Sequence, residues 1–140
     1  PTQWEYGGWP DSGEIDIMEL VGHQPGRVHG TLHYGTLGDH IFTGKHFDLP
    51  DGEKFIDDFH VFATEWEEGE MRWYIDGELY QTQRAWQTPD APFPAPFDKE
   101  FHIILNLAVG GNWPGSPSET TVFPQRMEVD YVRVYQKQDN

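Results

Sequence analysis

The sequence predicts an all-β fold, an antiparallel β-sandwich of jelly-roll type, and three observations support it. Short runs rich in β-branched and aromatic residues recur along the 140 residues, separated by Gly, Pro, Asp and Asn. Sustained helical periodicity is hard to find, and only residues 53–59 suggest a short helical turn. Asp76-Gly77 falls between two of the β-like runs, as a two-residue hairpin turn does.

The runs follow in order. Residues 13–20 (GEIDIMEL) form the first and residues 27–33 (RVHGTLH) the second. Residues 59–66 (FHVFATEW) and 71–75 (MRWYI) make a hairpin across residues 67–70, and residues 78–81 follow at once through Asp76-Gly77. A Pro-rich link, residues 91–97, leads to residues 101–109 (FHIILNLAV), and residues 127–135 (MEVDYVRVY) close the series. About seven strands at this spacing suit a sandwich. Residues 110–124 form a long irregular loop, and loops of that length inside a domain are often functional.

Composition narrows the partners. A net charge of -15 opposes binding to nucleic acid or to anionic membrane surfaces. No apolar run is long enough to cross a membrane. The absence of cysteine removes disulfides, a thiol nucleophile and thiolate-ligated zinc. Aromatic residues make up 15% of the chain, and their faces serve either a β core or a neutral ligand such as a sugar.

The first run carries the chemistry. Alternate residues of a strand share a face, so Glu14 and Asp16 point together. Regular alternation would next bring Met18 to that face, yet the third acid is Glu19. A β-bulge at about Ile17-Met18 resets the phase and returns Glu19 to the row. Three carboxylates on one face of a half-buried strand raise at least one pKa, since neighbouring like charges oppose joint ionisation. A glycosidase needs one ionised carboxylate and one held protonated, about 5–5.5 Å apart in retaining enzymes. A solvated strand face and a cation site are the alternative readings of the same three acids.

Residues 14–19 (EIDIME) resemble the E-x-D-x-x-E signature of glycoside hydrolase family 16, in the bulged form of its laminarinase-like, endo-β-1,3-glucanase branch. Residues 7–10 (GGWP), 28–33 (VHGTLH), 106–115 (NLAVGGNWPG) and 129–135 (VDYVRVY) are similar to the same branch in the same order. The resemblance implies a concanavalin-like jelly roll with a glucan cleft on its concave face. It further implies Glu14 as nucleophile, Glu19 as general acid/base and Asp16 as the assisting residue between them. Trp9, His33 and Trp113 become candidate substrate-binding residues. Asp130 matches a ligand of a structural calcium ion found in many members, and catalysis itself needs no cofactor. His29 and His33 do not make a metal pair here, because Gly30 and Thr31 argue for a strand.

In the family the catalytic strand sits near the middle of a domain roughly twice this long, whereas here it starts at Glu14. Residues 1–140 therefore resemble the C-terminal part of a single catalytic domain, incomplete at its N-terminal side. The missing half, on the same or a separate chain, is the expected partner, because half a sandwich exposes apolar faces and strand edges. The expected activity is retaining endo-hydrolysis of β-1,3-glucan, laminarin-like or mixed-linkage, by a secreted bacterial enzyme acting outside the cell or in the periplasm. Two alternatives accompany it. One is an agarase or other galactanase of the same family, for which sulfated substrates suit a chain of charge -15 poorly. The other is a non-catalytic β-glucan-binding protein, which usually loses one or more of the acids.

Overall fold

The computed structural model describes residues 1–89 and 91–138, which separate into two units, Pro1–Ile103 and Ile104–Asn140. The first unit is an all-β sandwich of two three-stranded antiparallel sheets. One sheet has the order β1 (Glu14–Glu19), β2 (Arg27–Thr36), β3 (Asp39–Asp48). The other has the order β4 (Phe62–Glu67), β5 (Glu70–Ile75), β6 (Glu78–Gln83).

The hairpins follow their turn residues. Asp76 and Gly77 both take positive φ, 50° and 86°, the primed geometry whose twist matches that of the flanking strands. Gly69 at φ 76° closes the β4–β5 hairpin, which is tighter than residues 67–70 suggest. β2 and β6 both run past their expected ends, to Thr36 and Gln83. Residues 53–59 contain hydrogen-bonded turns, such as Asp57 N–H to the Lys54 carbonyl at 3.1 Å, and no helix.

The sheets meet through alternate residues. Leu32 and Tyr34 of β2 pack with Met71 and Trp73 of β5, together with Trp86 and, from the link, Phe97. Val28, Phe55 and Ile75 form a second cluster, flanked by Met18, Leu20 and Phe47. Val28, Leu32, Met71 and Trp73 are fully buried. Each such aliphatic side chain contributes roughly 1.5–3 kcal/mol relative to exposure. Gly30 permits the close approach of the sheets. A Cβ there would lie 2.6 Å from the Trp73 ring and 2.5 Å from the Tyr80 hydroxyl.

The bulge lies where the acid spacing predicts it. Asp16 pairs with Thr31 and Glu19 with His29, so Ile17 and Met18 together oppose Gly30. Met18 turns into the second core cluster, while Ile17 is 39% exposed.

Three expectations need correction. β3 has no counterpart among the runs read from the sequence. It is an edge strand exposed at most positions, with Gly44 at its middle, so its hydrophobic alternation is weak. Residues 101–109 and 127–135 are not strands. A strand exists through its ladder, and among the described residues neither segment has a ladder partner. The second unit is accordingly irregular, with Ile104, Leu107, Val109, Val132 and Val134 more than half exposed. Its local order comes from turns, such as Gly115 N–H to the Gly111 carbonyl at 3.0 Å, and from Arg133 over the Tyr131 ring at 4.0 Å.

Candidate functional site

The outer face of the β1–β2–β3 sheet gathers the polar residues. Register places Glu14 opposite His33, Asp16 opposite Thr31 and Glu19 opposite His29. Across the next ladder, His33 faces Phe42, Thr31 faces Gly44 and His29 faces His46. Strand alternation and one bulge thus bring three acids and three histidines to one surface.

Each acid has a different partner. The Trp9 indole Nε1 donates to Glu14 Oε2 at 2.5 Å. The Thr31 hydroxyl stands 3.1 Å from Glu19 Oε2. His33 Nε2 lies 3.2 Å from Asp16 Oδ2, a buried oxygen that no well-aligned hydrogen bond reaches. From beneath, the Trp73 indole donates to the Asp16 backbone carbonyl at 3.0 Å. The core of the second sheet therefore holds the backbone at the start of the bulge.

The electrostatics follow from this crowding. Burial is the main force raising the Glu14 carboxyl above its ordinary pKa, and the Asp16 charge adds to it, while the Trp9 N–H works against both. Glu19 is raised for the same two reasons, with the Thr31 hydroxyl opposing. The His33 imidazolium is favoured, first by its hydrogen bond to Asp16 and then by the surrounding carboxylates, against the cost of burial.

Two partners separate the glutamates chemically. An indole N–H can only donate, so Trp9 favours an ionised Glu14. A hydroxyl donates or accepts, so Thr31 suits Glu19 both with and without its proton. The site can hold one charged and one protonated carboxyl, the arrangement used in general acid and nucleophilic chemistry at an acetal carbon.

Of the residues singled out from the sequence, Glu14, Asp16, Glu19, Trp9 and His33 come together in the first unit. Trp113 and Asp130 belong to the second unit, where both are exposed. Asp130 alone offers at most two of the six to eight oxygens calcium takes. Among the described residues, it belongs to no group of three His, Asp or Glu side chains close enough to share an ion. Thr31 and His40 were not singled out. Thr31 lies between two histidines of the same strand face, which would have placed it beside the acids. His40 lies just after the Leu37-Gly38 turn, where Leu37 replaces the usual Asn or Asp, and on a strand whose own alternation is weak.

Comparison with known proteins agrees with this geometry. Residues 3–133 match the family described as glycosyl hydrolases family 16. A glucan endo-1,3-beta-glucosidase A1 of Niallia circulans is 43% identical over 99% of this chain and 21% of its own length. A beta-glucanase of Rhodothermus marinus is 43% identical over 96% of this chain and 49% of its own. The solved endo-beta-1,3-glucanase of Pyrococcus furiosus superposes with a TM-score of 0.69 at 43% identity, covering 84% of this chain and 45% of that one. The chain thus spans about half the length of the last two, or less of the first. With a match over nearly all its residues and the bulged acidic strand in place, this chain belongs to glycosyl hydrolases family 16.

Proposed function

We propose that residues 1–140 carry the reactive strand of a retaining endo-β-1,3-glucan hydrolase and form the C-terminal part of its catalytic domain. The observation that bears most weight is the two-for-one bulge, which keeps Glu14, Asp16 and Glu19 on one face with distinct partners. The names of the relatives support the substrate class.

In the first step a Glu14 oxygen attacks the anomeric carbon while the Glu19 proton moves to the glycosidic oxygen, and the bond between that carbon and oxygen breaks. The product is a glycosyl ester on Glu14 and a free sugar end. In the second step Glu19, now a carboxylate, takes a proton from water. The water oxygen attacks the anomeric carbon and Glu14 departs. Two inversions give net retention. Asp16 holds the negative potential between the two glutamates, and His33 anchors it. Trp9 presents its indole face to a sugar ring beside Glu14, and Trp113, in the other unit, is a separate candidate for sugar stacking.

The test is reducing-end release from laminarin, lichenan and agarose. Turnover of laminarin that falls by about a thousandfold or more in Glu14→Gln supports the assignment. Undiminished turnover in that variant overturns it. Preference for agarose would favour the galactanase alternative, and laminarin binding without new ends would favour a binding protein.

Three further parts of the proposal stand apart from the chemistry. The exposed alternation of residues 101–109 and 127–135 suits pairing with strands from the rest of the domain, so the partner is that N-terminal half. A polymeric glucan cannot cross a membrane, so the enzyme works outside the bacterial cytoplasm, which fractionation would test. Calcium at Asp130 needs at least four further oxygens. Equilibrium dialysis of the full chain against Asp130→Asn measures it, and equal uptake by both rejects it.

A further inference from the structure

We propose that His40 is a positioning residue, whose imidazole fixes the proton of His33 on the nitrogen that faces Asp16 and ties that contact to Trp9. The inference rests on the catalytic reading of β1 for its consequence, and on geometry alone for its substance.

His40 is the second residue of β3 and pairs with Gly35 of β2. His33 lies two residues before Gly35 on the same strand face, so the His40 ring reaches it diagonally across the ladder. His40 Nε2 and His33 Nδ1 are 2.8 Å apart. The ring centroids are 5.1 Å apart with planes only 23° from parallel. That separation is little more than the nitrogen–nitrogen distance plus the two ring radii, so the nitrogens face each other along the line joining the rings. This is hydrogen-bond geometry rather than a face-to-face stack. The His40 ring also meets the Trp9 ring, with centroids 4.7 Å apart. One exposed histidine therefore touches both Trp9, which donates to Glu14, and His33, which contacts Asp16.

The proton positions follow from donor and acceptor capacity. Ionised Asp16 only accepts, so His33 Nε2 must carry a hydrogen. Neutral His33 then has a bare Nδ1, which needs a donor, and His40 Nε2–H supplies it. When His33 gains a proton, its Nδ1–H donates instead to the neutral Nε2 of His40. His40 serves as a partner in both states, and in both the His33 hydrogen stays on Nε2, the nitrogen 3.2 Å from Asp16. Without His40, Asp16 alone holds the tautomer, and the share of neutral His33 with its hydrogen on Nδ1 rises.

The charged groups around the pair are Glu14, Asp16 and Glu19 from β1, His29 from β2 and His46 from β3, all on the same sheet face. The approach segment contributes the neutral Trp9. The carboxylates favour a proton on His33, and His40 offers that proton an acceptor.

The test uses the full chain and two variants. His40→Phe keeps an aromatic ring against Trp9 but has no nitrogen, whereas His40→Gln keeps one donor and one acceptor. Long-range proton–nitrogen spectra of the imidazoles report the His33 tautomer and its titration midpoint. The wild type is expected to show the Nε2–H form when neutral. His40→Phe should populate the Nδ1–H form and lower the midpoint by about half a unit or more, and His40→Gln should restore both. With laminarin as substrate, His40→Phe should lower kcat by about tenfold, with KM little changed and a displaced pH profile that His40→Gln recovers. A His33 tautomer and midpoint unchanged in His40→Phe overturn the proposal, even in an active enzyme. A wild type that never hydrolyses glucan while its His33 responds to His40→Phe overturns the catalytic reading and leaves this one standing.

Discussion

Glu14 and Glu19 on one sheet, and Glu65 and Glu70 on the other, are four glutamates in two sheets of the same size and handedness of pairing. The first two are half-buried, crowd around Asp16 and have a histidine as the nearest base. Their carboxyls are raised, first by burial. The second two lie on the outward face of β4 and β5 with Arg72 between them. Arg72 Nε is 2.7 Å from Glu65, its other nitrogens reach Glu67 and Glu70, and Arg84 also contacts Glu70. Their carboxyls are lowered, Glu65 first by the Tyr74 hydroxyl and Glu70 first by Arg72. A row of acids threaded by arginine holds its charges, whereas a row with its charges left largely uncompensated favours a retained proton. The difference arises from what the facing strand offers, not from the acids themselves.

The strongest way to break this contrast is Glu19→Gln. It should lower kcat on laminarin by about a thousandfold, with a much smaller loss on an aryl glucoside whose leaving group needs no proton. Equal losses on both substrates would remove Glu19 from the acid role. Thr31→Val comes next. The Thr31 hydroxyl holds the Glu19 pKa down, so its removal should move the basic limb of the kcat profile upward while turnover falls several-fold. A downward shift would contradict the assignment.

The stability of the two rows should respond to pH with opposite signs. A carboxyl raised by folding favours the native state below its ordinary pKa and opposes it once pH passes the folded value. Glu14→Gln should therefore raise the melting temperature by a few degrees at most at neutral pH, a gain that fades toward pH 4. A lower melt at neutral pH would show that the charge of Glu14 is supported rather than opposed. The smallest effect belongs to Arg72→Met. Glu65 and Glu70 are lowered, so their contribution is present above the ordinary carboxylate range and fades on acidification. Glu65 is exposed, and Glu70 and Arg72 are partly so, so the melt should fall only slightly at neutral pH and low salt, by less still at pH 3, with no change in turnover.

Much of this was legible in the sequence because the signals were local. Asp76-Gly77 specifies its own turn, and the two-then-three spacing of the acids requires a bulge whatever the strand pairs with. Glu14, Asp16, Trp9 and His33 lie within a few residues or one ladder of each other, so a short stretch sufficed to group them. β3 escaped because an exposed edge strand has no face that must be apolar. Residues 101–109 and 127–135 misled in the opposite way. Their alternation describes a face made for burial, and alternation does not supply the neighbour that turns an extended segment into a strand. The diagonal contact of His33 and His40 across β2 and β3 depends on strand register, a relation between chain segments rather than a pattern within one.

The bulge at Ile17-Met18 also bears on how this strand tolerates changes in length. Removing Ile17 would leave E-I-D-M-E, a regular strand in which all three acids again share one face and the methionine still points inward. The reactive face can thus be reached with either of two residue counts, provided the change falls between Asp16 and Glu19. The same deletion one turn of the pleat earlier, at Ile15, would leave Glu14 on the opposite face from the other two acids. Chain length is free to drift at one point of this strand, opposite Gly30, and fixed at its neighbours.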